Sequence, residues 1–113
     1  LPISYQYSDI LSSSNIGLSC DSSSIGNSFG IKLSSGQSET FDRYLSNNND
    51  KLMYNLYLDN NRAVVFGDGT NGTSMYNGKL SANNSVNIFA KIPKNQNVSP
   101  GNYQDNILFE ITF

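Results

Sequence analysis

Histidine is absent from the 113 residues, so the commonest general base and the His partner of a Ser or Cys nucleophile are both missing. There is also no Gly-x-Ser-x-Gly elbow and no phosphate-cradling glycine loop, which leaves a carboxylate-pair hydrolase as the only enzyme class still to be weighed. Basic residues are sparse: seven Lys and Arg, scattered singly against nine Asp and Glu, form no stripe to neutralise a phosphate backbone, and nucleic acid is set aside. No run approaches the roughly 18 apolar residues that span a bilayer, and the chain does not open on a charged segment followed by an apolar one, so it is expected to be soluble and either mature or trimmed. Cysteine occurs once, at Cys20, which excludes a disulfide within this stretch. Cys20 is then either a small buried apolar residue or the partner of a cysteine on an upstream piece. Asp21 beside it opposes thiolate formation, and nothing nearby supports a reactive thiol.

What is present is strand and turn material. Charged residues make up 14% and hydrophobic residues 37%, and the polar remainder is dominated by Ser and Asn rather than by the Lys and Glu of helix surfaces. The length suits one small domain over residues 1–113. Helical periodicity is hard to find, whereas short alternating runs bounded by Asn, Gly, Ser and Asp recur about every ten residues, the spacing of a sandwich.

The runs can be placed. Ile3, Tyr5 and Tyr7 begin one, and Ile16, Leu18 and Cys20 share one face of a second, with Ser12 to Asn15 read as the loop between them. Phe29, Ile31 and Leu33 alternate ahead of the turn at Ser34-Ser35-Gly36. Leu52, Tyr54, Leu56 and Leu58 line one face of a single strand, with Met53 and Tyr57 on the other, making this segment the expected centre of the sandwich. Asp59 to Arg62 reverses the chain into Ala63 to Phe66, and Gly67 to Gly72 reads as a loop. Val86, Ile88, Ala90 and Ile92 alternate before Pro93, and Lys94 to Asn102 leads into the last strand.

In that last strand Ile107, Phe109, Ile111 and Phe113 alternate with Leu108, Glu110 and Thr112, and no closing turn follows. Immunoglobulin-like sandwiches use about seven strands, and six or seven runs are visible with none after this one. The expectation is an all-β, immunoglobulin-like sandwich incomplete by one strand. The last strand then walls an open groove, the alternative being an ordinary core strand of a closed sandwich. Four or five apolar side chains inserted from outside, at roughly 1.5 to 3 kcal/mol each, would match the stability of a whole small domain.

Several of these segments carry a family resemblance over nearly the whole chain. Leu52-Met53-Tyr54-Asn55-Leu56-Tyr57-Leu58-Asp59, followed by Phe66-Gly67-Asp68-Gly69-Thr70, resembles paired motifs of the spore coat protein U domain, with Phe66 where that family usually has Trp. Gly101-Asn102-Tyr103-Gln104-Asp105 is similar to the family's lead into its final strand, and Asp42-Arg43-Tyr44-Leu45 to its Arg-containing turn. The same domain forms the subunits of archaic chaperone-usher pili such as the Csu type. The resemblance implies a pilus subunit, exported through the periplasm to a surface fimbrium, which supports attachment and biofilm formation and needs no cofactor. It also implies three partners: a periplasmic chaperone that lends a strand, a neighbouring subunit that replaces that strand, and an outer-membrane usher. The groove and subunit interface are expected at Ile107, Phe109, Ile111, Phe113, Tyr103, Ile16 and Leu18. The family's N-terminal strand and first cysteine would precede Leu1, and that cysteine would be the partner of Cys20.

Other sites weigh less. Asp59, Asp68 and Asp105 sit among Asn and Gly without the spacing of a calcium loop, and read as turn-forming residues rather than metal ligands or a catalytic pair. The seven tyrosines suit sandwich packing, with an adhesive face at Phe66, Met75 and Tyr76 as the alternative. Sequons at Asn71, Asn83 and Asn97 arise easily by chance in a chain this rich in Asn and Ser. Two rivals to the pilus subunit remain: a tip adhesin binding a glycan or an abiotic surface, and a spore or cell-coat structural protein.

Overall fold

The computed structural model describes residues 8–48, 50–99 and 101–113. These hold eight strands and no helix: β1 (Ile10–Ser19), β2 (Ser28–Leu33), β3 (Tyr44–Ser46), β4 (Lys51–Met53), β5 (Asn55–Tyr57), β6 (Tyr76–Lys79), β7 (Asn83–Ile92) and β8 (Phe109–Thr112). One sheet has the order β1-β7-β5 and a second β6-β2-β8, with β3 and β4 forming a separate pair; every strand pairing is antiparallel.

The alternation of apolar residues decides how the sheets face. Phe29, Ile31 and Leu33 of β2 and Val86 of β7 are buried together with Phe66 and Leu80, and Ile16, Leu18, Leu56, Ile88, Ile107 and Ile111 pack against this cluster from both sheets. The fold is therefore an immunoglobulin-like sandwich with β2 and β7 at its centre, and one side of it is covered by no strand among the described residues. The segment from Leu52 to Leu58, expected as one central strand, is instead divided at Tyr54. The Tyr54 amide donates to the Arg43 carbonyl at 3.1 Å, so β4 joins β3 while β5 crosses to the rim of the β7 sheet.

A second difference lies in β1. Ser12 to Asn15 is not a loop but part of one ten-residue strand, paired from Ile10↔Ile92 to Ser19↔Asn83. The continuous ladder offered by β7 satisfies the backbone whatever the weak strand preference of Ser and Asn. The reversal at Asp59 follows expectation: the Arg62 amide donates to the Asp59 carbonyl, and the Ala63 and Val64 amides donate to its carboxylate at 2.9 Å. The strand after it is reduced to a bridge, Tyr57↔Val65. β6, with a single aromatic among Asn, Gly and Lys, carries no alternation by which to foresee it. The run beginning at Ile3, Tyr5 and Tyr7 lies outside the described residues.

Candidate functional site

The bare side of the sandwich is a groove between two strand edges. Among the described residues β1 pairs with β7 alone and β8 with β2 alone, so each presents an edge with no strand of the described residues beside it, although the Ser12 carbonyl of β1 accepts from Arg62 Nη2 at 3.0 Å. Between them lies an apolar trough of about 560 Å³, floored by Leu33, Leu56, Ile88 and Ala90, with Ile16 and Ser12 to Asn15 on one wall and Ile107 and Phe109 on the other. No ionisable side chain among the described residues lines it. Farther along, a second hollow is bounded by Ser19, Cys20, Leu80 and Phe113. Moving from the first hollow to the second, residue numbers rise on both walls, so β1 and β8 run in the same direction across the opening. A strand laid between them antiparallel to one is antiparallel to both.

The β8 backbone has the groups such a strand needs. Ser34 donates its amide to the Leu108 carbonyl at 2.8 Å, which makes Ser34 and Leu108 a hydrogen-bonded pair. By alternation, Lys32 with Glu110 and Gly30 with Thr112 are hydrogen-bonded too, while the main-chain groups of Phe109 and Ile111 turn away from β2. Unpaired edge groups of this kind are a template for β-addition unless blunted by charge or proline, and on β8 only Glu110 is charged, with its side chain outward.

Of the expected wall residues, Ile16, Ile107 and Phe109 line the trough, and Phe109 remains 41% exposed. Leu18 and Ile111 pack on the core cluster, and Phe113, 81% exposed, borders the second hollow. Tyr103 does not belong to the groove: its hydroxyl donates to the Ser99 carbonyl, which folds the preceding loop on itself. Of the alternative adhesive face, Phe66 is fully buried, whereas Tyr76, whose ring packs on Phe29 at 5.7 Å between centroids, and Met75, which lies over Gly30, are half-buried. Cys20 is half-buried, and its thiol donates to the Ser81 carbonyl at 2.9 Å. Leu33, Leu56, Ile88 and Ala90 were legible as apolar strand positions, but their role as the groove floor follows only from the pairing.

At the near end of the groove sits a polar cluster that composition did not announce. Arg43 is fully buried. Its Nε and Nη2 donate to the Ser34 carbonyl at 3.1 and 2.7 Å, its Nη1 donates to Asn55 Oδ1 at 2.9 Å, and its guanidinium stacks 5.2 Å from the Phe41 ring centroid. Burial pulls the guanidinium below its ordinary pKa. The Tyr54 hydroxyl donates to Asp105 at 2.7 Å, and burial, reinforced by that bond, pushes the phenol well above its usual range. Asp105 also accepts the Gln37 and Asn106 amides, both at 2.8 Å. Asp59 and Asp68 each serve their own turn, accepting from Val64 and Thr70. No group of three or more His, Cys, Asp or Glu side chains placed to hold a metal occurs among the described residues.

Three comparisons bear on this architecture. The family model for the Spore Coat Protein U domain matches residues 4–110. Protein U of Myxococcus xanthus is 36% identical over 64 residues, which is 57% of this chain and 35% of that protein. A chain of the CsuC-CsuE chaperone-tip adhesion subunit pre-assembly complex, from archaic chaperone-usher Csu pili of Acinetobacter baumannii, superposes with a TM-score of 0.67 at 18% identity, covering 92% of this chain and 35% of that one. The chain thus spans about a third of the length of each, and the second likeness is one of fold.

Proposed function

Since this chain belongs to the Spore Coat Protein U domain family, we propose that it is a structural subunit of a chaperone-usher pilus whose groove between β1 and β8 accepts a β-strand from another chain. The observation that carries the reading is the pair of free edges flanking an apolar floor. An inserted strand gains main-chain hydrogen bonds from β1 and β8, and buries alternate side chains against Leu33, Leu56, Ile88 and Ala90. In this account a periplasmic chaperone supplies the strand first. A neighbouring subunit's extension replaces it at an outer-membrane usher, and the product is a surface fimbrium that supports attachment and biofilm formation. The likeness in fold to a chain of a chaperone-subunit complex supports the choice of a chaperone as first partner. With Phe66 fully buried, and Met75 and Tyr76 half-buried against Gly30 and Phe29, that loop offers little free apolar surface, and a stem subunit is preferred to an adhesin that uses it.

The test is co-expression with a candidate periplasmic chaperone. Ile88→Asp, which puts a charge on the groove floor, abolishes co-purification, whereas Val64→Asp, on a site 40% exposed and away from the groove, leaves it intact. Equal retention of both variants sinks the groove reading. A chaperone and an usher encoded beside this chain favour the pilus, and their absence favours a coat protein.

A further inference from the structure

The β1 wall of the trough changes character along its length. The β1–β7 ladder is unbroken from Ile10↔Ile92 to Ser19↔Asn83, so directly opposite residues share a face of the sheet. Val86 is buried in the core and Ile88 packs on it, which puts their partners Ile16 and Ser14 on the inner face. Alternation adds Leu18 on one side and Ser12, opposite Ala90, on the other. Ile16 and Leu18 carry large aliphatic side chains onto the core cluster, whereas Ser12 and Ser14 hold the same inward stripe with side chains of one carbon and a hydroxyl. An edge strand facing solvent would account for serine if the surface below it were polar too. Here both serines are exposed above a floor of Leu33, Leu56, Ile88 and Ala90. The smallest floor residue is the cross-strand partner of Ser12, so three small side chains coincide, and the trough of about 560 Å³ is the room they leave. Neither this hollow nor the one at Phe113 is lined by Leu18 or Ile111, which already pack on the core from the two walls.

We infer that Ser12 and Ser14 are specificity-determining residues of the groove. They select a strand that brings a bulky apolar side chain, the size of Phe, Leu or Met, to the serine end and a small one to the stretch between Leu18 and Ile111. The inference rests on the proposed groove and names what the accepted strand must carry. Interiors pack to the density of organic crystals, and a void forfeits its lining contacts. A small residue entering at the serine end therefore leaves a cavity, while a bulky one between Leu18 and Ile111 overpacks the site. The serine hydroxyl rotates to whichever neighbouring carbonyl it can reach, so its burial under the entering strand does not leave it unbonded. Main-chain bonds at the two edges accept any sequence, and the choice among strands falls to side-chain fit in the trough. Leu at positions 12 and 14, continuing the stripe of Ile16 and Leu18, would fill that room from within the chain and remove the preference.

Calorimetric titration of the whole chain with short peptides reads the preference. The peptides carry Lys and Thr at outward positions and Val at inward ones, and Phe replaces Val at one inward position at a time. On the parent chain Phe tightens binding about fivefold or more at the position that meets the serines, and weakens it at the position between Leu18 and Ile111. Ser12→Leu with Ser14→Leu removes the gain, and Ser14→Val is the milder filling if that pair does not fold. Gly17→Leu, on the same strand where an added Cβ meets nothing within 4 Å, leaves the gain in place. Binding that Ile88→Asp abolishes, but that is equal for Phe and Val at every position or keeps its Phe gain with the serines filled, overturns this inference and leaves the groove standing. Peptides that bind Ile88→Asp as well as the parent, or bind neither, overturn the groove and the inference together.

Discussion

The two long sides of this sandwich are built to different standards. Among the described residues β2 and β7 each have a neighbour on both sides, and Phe29, Ile31, Leu33 and Val86 are buried; β1 and β8 each have one neighbour, and Leu11, Leu108, Phe109 and Phe113 stand in solvent. The difference is one of supply rather than of residue type. β8 is as apolar as β2, yet among the described residues β2 has a strand on each flank and β8 on one. A closed domain would cover or charge such an edge. Leaving it apolar makes sense where another chain completes it.

The contrast is best sharpened by cutting into the finished side. Ile31→Ala removes a fully buried side chain between the sheets and is expected to cost about 3 to 4 kcal/mol in a denaturant titration. Gly36→Ala comes next, at about 2 kcal/mol. Gly36 has φ of +72°, and the Asp105 carboxylate occupies the space an added Cβ would take, so the substitution strains the turn and disturbs the cluster together. Tyr54→Phe removes only the hydroxyl that Asp105 accepts from, for about 1 kcal/mol.

Acid separates the two regions differently. The carboxyls of Asp50, Asp59 and Asp68 are held below their ordinary value of 3.8, chiefly by hydrogen bonds from Ser99, Val64 and Thr70 respectively, whereas the trough is lined by no ionisable group. Folded pKa values below the unfolded ones mean that this stability is present above pH 3.8 and is lost as pH falls through the lower, folded values. The melting temperature is therefore expected to drop below about pH 4, and Asp59→Asn to make that drop shallower, since one titrating turn is gone. The smallest effect belongs to the open side: Phe113→Ser, on a residue 81% exposed, changes the stability of the isolated chain by less than about 0.5 kcal/mol. A loss as large as that of Ile31→Ala would show that β8 is already packed and erase the contrast.

How much of this was readable in the residues follows the same division. Where one face is buried, period-two alternation is faithful: β2, β7 from Val86 onward, and the inward set of β8 follow it. Where pairing alone makes a strand, alternation fails, as in Ser12 to Asn15 of β1, whose partner lies some 75 residues later in the sequence. The break at Tyr54 was hidden because Leu52 and Leu56 both turn inward while serving different sheets. For Phe66 the residues alone left core packing and an exposed place beside the glycine-rich loop both open, and its full burial is settled only by the fold. The wall at Ile107 and Phe109 was foreseeable from their apolar alternation. The groove floor was not, since Leu33, Leu56, Ile88 and Ala90 come together only through topology. A single Arg among Asp and Tyr gave no sign of being fully buried.

The most direct measurement is thermal melting and size-exclusion chromatography of this chain, alone and co-expressed with a periplasmic chaperone. An open groove predicts a one-to-one complex that melts well above the isolated chain, with most of the gain lost in Ile88→Asp. A monomer that melts cooperatively at the same temperature with or without the chaperone would contradict it, and would mean that the sandwich is complete as it stands.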